Sequence, residues 1–383
     1  MKATERSEAW QPQSTPEVLL QPPASATVSL EEVHTRVSGP GLQQQNRTVP
    51  VILDGNPLMP TKASRARRWI REGKATPFWS KGVFCVRLNT APSSLGVQPT
   101  AVGIDPGSKR EGFTVKSEAH TFLNIQAEAV TWVSKAVEVR RNMRRARRFR
   151  KTPCRANRKN RARGCLPPST RARWGWKLQI AQWLAKLYPI SMFVVEDIKA
   201  RTTGQRRWDT SFSPLEVGKA WFYIELGKVA EVSTKQGWET KQMRDVLGLK
   251  KSGKKLAEAF EAHCVDSWVL ANNWVGGHTA PDNKNLMCIA PIRLHRRQLH
   301  AFQPSAGGIR RPYGGTQSLG LKRGALVKHP KHGLVYVGGT SKGKISLHAL
   351  EDGKRLCRNA NPSDCEYLAY NIWKRKDGVS SVA

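Results

Sequence analysis

The chain is poor in acid. It carries 29 aspartate and glutamate residues against 64 lysines and arginines over 383 positions, a formal net charge of +35. That excess is far beyond what solubility requires, and it directs attention to a polyanionic partner, nucleic acid foremost. Also absent is any run of about 18 apolar residues, so no membrane-spanning helix is expected. No basic segment followed by an apolar stretch opens the chain, so secretion is not expected either. The seven cysteines are scattered, odd in number and never spaced C-x-x-C. That pattern supports neither a zinc knuckle nor a disulfide scaffold, and it fits the reducing cytoplasm of a prokaryotic cell. The glycine pairs Gly307-Gly308 and Gly338-Gly339 follow no strand-to-helix pattern, so they are not read as nucleotide-binding loops. Residues 1–48 have few aromatics and are rich in Gln, Ser, Pro, Thr and Glu, the composition of a disordered extension.

What is present begins with Val102 to Gly112, V-G-I-D-P-G-S-K-R-E-G. A short apolar run ends in Asp105, Pro106-Gly107 turns the chain, and Phe113-Thr114-Val115 starts a second run. Phe193-Val194-Val195-Glu196 is another apolar run that ends in a carboxylate. His263-Cys264-Val265-Asp266 falls in a helical stretch from Leu256 to Asn272. Three carboxylates from distant segments, Asp105, Glu196 and Asp266, are what two hard divalent cations need for phosphodiester cleavage. Asp197 competes with Glu196, but Glu196 is the first polar residue after the apolar run and is favoured. His263 stands one helical turn from Asp266 on the same face. It could position or deprotonate an attacking water, and the alternative is a structural histidine on a half-buried helix.

The basic residues are concentrated. Between Arg140 and Arg173 there are 13 arginines, 2 lysines and no acid. The first part contains Arg140, Arg141, Arg144, Arg145, Arg147, Arg148 and Arg150, with no breaker before Pro153, and predicts a helix. At 3.6 residues per turn the arginines cover nearly its whole circumference, so it cannot pack on a protein core and suits a place between phosphate backbones. Arg155 and Arg158 continue the run. Arg65, Arg67 and Arg68 lie on a basic helix expected over Ala63–Glu72, and Arg206 and Arg207 lie in a loop at 200–213. All are candidate nucleic-acid contacts, and each smaller cluster could instead be a solvated face. Around them the spacing predicts a strand at Val49–Leu53, a turn at Asp54-Gly55-Asn56 and a strand at Val83–Leu88. An amphipathic stretch is expected at Trp174–Leu187, a strand at 192–198 and a helix from Pro214 to Val232. Residues 279 to 320 read as mostly irregular. Short strands at Ala325–Lys328, Leu334–Val337 and Lys344–Leu350, with a hairpin signal at Asp352-Gly353, predict a small all-β module.

These segments resemble the RuvC-like nucleases: G-I-D-P-G, V-V-E-D-I and H-C-V-D in that order. Pro57-Leu58-Met59-Pro60 resembles the P-L-M-P signature of the transposon-encoded IscB group, and an arginine-rich bridge helix after the first RuvC segment is that group's arrangement. IscB carries an HNH nuclease between the second and third RuvC segments. Here 66 residues separate Glu196 from His263, and they hold neither histidine nor cysteine. The chain therefore resembles the HNH-less relatives, IsrB. The resemblance implies an α/β, RuvC/RNase H-like mixed sheet with flanking helices, the inserted bridge helix, a small N-terminal PLMP domain and a small C-terminal β-rich module. The implied division is an extension to 48, PLMP at 49–90, RuvC segment I at 100–138 and bridge helix with basic linker at 139–173. RuvC segment II follows at 174–232, segment III at 233–278, a basic linker at 279–323 and a module facing the target-adjacent motif at 324–383.

Further implications are a Mg2+-dependent RNA-guided endonuclease, a nickase that cuts the displaced non-target strand with two ions, with Mn2+ able to substitute. Its partners would be an omega guide RNA and target double-stranded DNA with an adjacent motif, in a one-to-one ribonucleoprotein. Two other readings stay open: a catalytically silent RNA-guided DNA-binding protein, and an unguided RuvC-like nuclease.

Overall fold

Alternation along two neighbouring strands organises the protein. In the computed structural model, which describes residues 48–151, 166, 168–199, 214–254, 257–291, 302–303, 308–309, 317–350, 353–370 and 373–375, β5 (Thr100–Asp105) pairs antiparallel with β6 (Arg110–Ser117). Val102, Ile104, Phe113 and Val115 point to one face and join the main apolar core. Gly103, Asp105, Gly112 and Thr114 share the other face, because side chains alternate with period two. The first face is covered by a tryptophan-rich helix and the second by a helix that approaches unusually closely.

Before this sheet come β1 (Thr48–Leu53), β2 (Asn56–Lys62), α1 (Ala63–Arg71), β3 (Ala75–Ser80) and β4 (Val83–Leu88), forming a four-stranded sheet of order β2-β1-β4-β3. The expected turn is present: Asp54 and Gly55 both adopt positive φ, as a two-residue hairpin demands. The Pro57–Pro60 segment lies within β2. Val49, Val51, Ala66, Ala75, Val86 and Leu88 form a small core of their own. Ile52 and Cys85, on the other side, belong to the main core. The Trp183 indole Nε1 donates to Ser80 Oγ at 3.0 Å and ties this sheet to the larger unit.

The larger sheet has seven strands in the order β20-β10-β7-β6-β5-β8-β9, where β20 is Trp373–Arg375. β7 (Thr121–Glu128) completes an antiparallel meander with β5 and β6. Then α2 (Trp132–Phe149) and α3 (Pro168–Leu184) intervene before β8 (Met192–Asp197) returns parallel to β5. α4 (Pro214–Gly227) leads to β9 (Glu231–Gln236), parallel to β8. α5 (Gly237–Val246) and α6 (Phe260–Val275) follow, then β10 (Leu286–Pro291), which pairs parallel with β7. Three antiparallel strands followed by two parallel ones, with helices on both faces, constitute a RuvC/RNase H-like α/β sheet.

α3 buries Trp174, Trp176, Ile180, Trp183 and Leu184 against the β5–β6 apolar face. α6 takes the opposite face and is buried along Phe260–Asn272 except at Glu261. Its approach depends on glycine: a Cβ on Gly103 would lie 1.8 Å from the Ser267 carbonyl oxygen, and one on Gly112 would lie 2.0 Å from that of His263. The Thr114 and Ser267 hydroxyls meet at 2.9 Å across the contact.

The C-terminal region contains the short ladders β11 (Phe302–Gln303) with β12 (Gly308–Ile309) and β13 (Gln317–Ser318) with β14 (Leu321–Lys322). A five-stranded antiparallel sheet of order β18-β17-β16-β15-β19 follows, from β15 (Ala325–His329), β16 (Gly333–Ser341), β17 (Lys344–His348), β18 (Arg355–Ala360) and β19 (Glu366–Tyr370). Its core is Ala325, Val327, Val335, Val337, Ile345, Leu347, Ala360 and Cys365.

Several expectations need correction. The bridge helix begins at Trp132, not at residue 139, because Val133 is buried and anchors its first turn. The helix after it begins at Pro168, where proline is at home in a first turn. The helix expected to reach Val232 stops at Gly227, and residues 231–236 form the polar edge strand β9. Residues 286–291, read as irregular, are the strand β10, whose Met287, Cys288, Ile289 and Ala290 are buried. The module set at 324–383 loses β20 (Trp373–Arg375), which pairs with β10 in the large sheet. Trp373 is buried there, edge-on to Trp176 and Trp183 at 5.7 and 5.0 Å. The extension at 1–48 falls almost wholly outside the described residues, as do Arg155, Arg158, Arg206 and Arg207.

Candidate active site

Strand parity selects the carboxylates. β5 and β8 run parallel with Gly103 opposite Val194 and Ile104 opposite Val195, so Asp105 and Glu196 emerge on one face at adjacent strand ends. That is the face α6 covers, and Asp266 comes from α6 itself. One oxygen from each of Asp105, Glu196 and Asp266 lies within 4.8 Å of the others. Among the described residues this is the one such cluster of three or more metal-capable side chains. Gly107 follows Asp105 in a turn too tight for a side chain: its Cβ would lie 1.7 Å from the Arg110 carbonyl oxygen.

Asp197, the competitor to Glu196, points to the opposite face and is fully engaged there. Lys219 Nζ donates to its Oδ1 at 2.6 Å, Tyr223 Oη at 3.1 Å, and Gln236 Nε2 donates to its Oδ2 at 2.9 Å. Burial works against its charge, but these donors hold its pKa below the ordinary aspartate value. Glu196 shows the opposite balance. Burial, then the neighbouring charges of Asp105 and Asp266, push its pKa up to about 8. Gly237, the first residue of α5, leaves room beside it: a Cβ there would lie 2.9 Å from Glu196 Oε1.

Two cations enter the cluster that sequence reading did not single out. Arg244 Nη1, from α5, donates to Asp266 Oδ1 at 2.6 Å. Lys251 Nζ, from the segment between α5 and α6, sits 3.3 Å from Asp105 Oδ2 and also donates to Asp266 Oδ2. Burial opposes the lysine's charge, yet Asp105 and Asp266 hold its pKa above the ordinary value. The usable sequence signal was the lysine-rich string Lys250-Lys251-Ser252-Gly253-Lys254, a short distance before the helix that bears Asp266. His263 is buried one turn before Asp266 and is not a member of the carboxylate cluster. Beneath the site, Glu111 is paired with Lys177 at 2.6 Å in the interior. Burial pushes the Glu111 pKa up to about 7 against the pull of Lys177.

The donor set suits a hard divalent cation: three carboxylates and no nitrogen or sulfur ligand. Asp105, Glu196 and Asp266 are the residues that would hold it.

The candidate nucleic-acid residues on α1 and α2 are displayed rather than packed. Arg65, Arg67 and Arg68 are exposed on α1. On α2, Arg141, Arg144, Arg145, Arg148 and Arg150, at its end, are exposed, while Arg140 and Arg147 are half-buried. Val139, Met143 and Phe149 on the same helix are exposed too, Phe149 to 90%. Beyond its first turn no residue of the helix is buried among the described residues. Arg173 Nη2 donates to Ser134 Oγ at 3.2 Å, fixing the helix base to α3.

Sheet order, helix layers and the placement of the carboxylates define a RuvC-like α/β unit. In sequence, residues 49–207 match the family model described as RRXRR protein. No curated protein matches the chain. Among solved structures, the chain is similar to T. thermophilus RuvC in complex with a Holliday junction substrate, at 11% identity and a TM-score of 0.27, over 47% of this chain and 98% of that one. It is also similar to the yeast mitochondrial Holliday junction resolvase, at 14% identity and a TM-score of 0.25, over 47% and 80%. No helix among the described residues is long and apolar enough to cross a membrane.

Proposed function

We propose that the protein is an RNA-guided DNA nickase of the IsrB type, cutting the displaced strand of a guide-bound target at Asp105, Glu196 and Asp266. The observation that carries this reading is the pairing of that cluster with α2. The helix is inserted between β7 and β8 of the same sheet and bears Arg141, Arg144, Arg145 and Arg148 exposed along its length. A nuclease that reads only DNA shape has no need of such a helix. A guide–target duplex held by its backbone does, because phosphates rather than base edges supply the contacts. The match of residues 49–207, spanning the N-terminal sheet and the basic insertion, supports the same grouping.

When bound, Mg2+ would neutralise charge at the scissile phosphate and activate water. Asp105 and Glu196, fixed by adjacent strands, and Asp266, fixed by α6, hold the metal-facing oxygens on one side of the sheet. Arg244 holds Asp266 in that orientation. His263, beside Asp266, is the candidate to orient the attacking water. With one such cluster among the described residues, one strand is cut at a time. The free displaced strand enters the site, while the strand paired to the guide is held away.

The experiment is to purify the protein, sequence the RNA that accompanies it, and supply a matched target with each strand end-labelled separately in Mg2+. Cleavage of the non-target strand alone is expected. Cutting of both strands would place the protein among double-strand-cutting relatives such as TnpB. Guide-independent cutting would favour the unguided nuclease, and RNA-dependent binding without cutting the silent binder.

A further inference from the structure

We propose that Lys251 is the resident cation of the carboxylate cluster, and that a divalent ion entering the site displaces it. The inference rests on the active-site reading above and concerns how that site is held before metal arrives. Carboxylates within 4.8 Å of one another repel strongly; the raised pKa of Glu196 relieves part of that repulsion, and a positive group among them relieves the rest. Lys251 does so: its ammonium bridges Asp105 and Asp266, the two ligands contributed by different faces of the site, from a strand end and from α6. Arg244 occupies the remaining oxygen of Asp266. Both oxygens of Asp266 therefore face cations of the protein, and a metal that binds Asp105 and Asp266 together must take the position Lys251 holds.

The two cations differ in how easily they leave. Arg244 is on α5; Met243 of that helix and Leu247 just past its end pack against the apolar side of α6, and the Arg244 side chain is 15% exposed. Its planar guanidinium is fixed with the helix. Lys251 is 35% exposed, lies outside any helix or strand, and has glycines nearby on both sides. Gly248 takes a positive φ of 64°, and the space around Gly253 is open. A four-carbon stem lets the ammonium swing to solvent with little backbone movement. A divalent ion brings twice the charge to the same oxygens, so exchange is favoured once the ion is partly dehydrated. Arg244 remains as the permanent partner of Asp266, and Lys251 is the exchangeable one.

The test uses the whole 383-residue chain, stripped of metal, with Mn2+ as the probe. Mn2+ binding is measured by calorimetry, and each protein is compared with its own Asp105→Asn counterpart so that nonspecific sites cancel. Lys251→Gln should bind Mn2+ about tenfold more tightly than the native protein, equivalent to ~1.4 kcal/mol. Lys251→Arg, which keeps a cation with a bulkier head, should bind no more tightly than the native protein. Without any substitution, Mn2+ should speed amide hydrogen exchange across residues 248–254. Equal or weaker Mn2+ affinity in Lys251→Gln, or exchange at 248–254 that Mn2+ leaves unchanged, would overturn the role of Lys251. Indistinguishable Mn2+ binding by the native protein and Asp105→Asn would instead remove the metal site itself.

Discussion

Replacing Gly103 by alanine tests whether the close approach of α6 sets the active-site geometry. The added Cβ would lie 1.8 Å from the Ser267 carbonyl oxygen and 2.9 Å from the Ala271 backbone nitrogen. Ordinary contact needs about 3.4 Å, so α6 must retreat from the sheet by roughly 1.5 Å, since neither neighbour is a flexible side-chain end. Overpacking of this kind costs about 1–3 kcal/mol. At roughly 2–4 °C per kcal/mol for a domain of 150–250 residues, the melting temperature should fall by several degrees. Asp266 precedes Ser267 on the moving helix, whereas Asp105 and Glu196 stay with the sheet. The shift therefore opens the cluster, and a misplacement of about 1 Å can cost on the order of 10²-fold in rate. The assay pairs thermal melting with strand-specific nicking, and Gly175→Ala on α3 serves as the control, because its Cβ would meet nothing within 4 Å. A Gly103→Ala protein that melts and nicks like the native one would refute the argument that α6 is held at glycine distance.

Asp105→Ala, Glu196→Ala and Asp266→Ala should each abolish cleavage while sparing target binding in a gel-shift assay, because binding is spread over phosphate contacts. His263→Ala should slow nicking by about 10²–10⁴-fold if it serves as a general base, with no change in binding. The RNA-free protein should melt at lower temperature than the RNA-bound form at matched ionic strength, since most of the α2 arginines are exposed, and an unchanged melt would count against a polyanion partner. Glu111 has a folded pKa of about 7, raised above its unfolded value, so its contribution to stability is fully present in acid and is lost as pH rises toward and through 7. Denaturant unfolding at pH 5 and pH 8 should show a difference between the native protein and Glu111→Gln that changes by up to the order of 3 kcal/mol, with the native protein the one that weakens at pH 8.

Much of the candidate site was legible because its residues terminate short apolar runs. A strand that alternates apolar and small residues and ends in Asp105, and a second that ends in Glu196, announce both the buried face and the position of the carboxylate. Parity then separates Glu196 from Asp197, since neighbouring residues of a strand must face opposite sides. The spacing of His263 and Asp266 marks one helical face, but it does not say how deeply that face is buried. What failed to show were elements whose signals are weak in isolation. β9 is a polar edge strand that reads as the end of the preceding helix. β10 is a short apolar run that proline and glycine nearby disguise as loop. β20 is only three residues long, and its place depends on Trp373 finding a pocket between Trp176 and Trp183. Such placement is decided by tertiary packing and leaves no periodicity to read.

The same distinction explains why the acidic half of the site could be anticipated and the basic half could not. In a chain with 64 lysines and arginines, no single one stands out by type. Acidic residues are scarce here, so a carboxylate at a strand end is a conspicuous event, whereas Arg244 and Lys251 are two among many. Their roles arise from geometry alone. α5 begins at Gly237 beside Glu196, its next turns bring Arg244 over Asp266, and the segment that follows returns Lys251 to the gap between Asp105 and Asp266. Most of the α2 arginines are exposed, whereas these two cations are drawn into the cluster. A strongly basic chain thus displays the exposed arginines of α2 and sets two further cations, Arg244 and Lys251, against the carboxylates of the cluster.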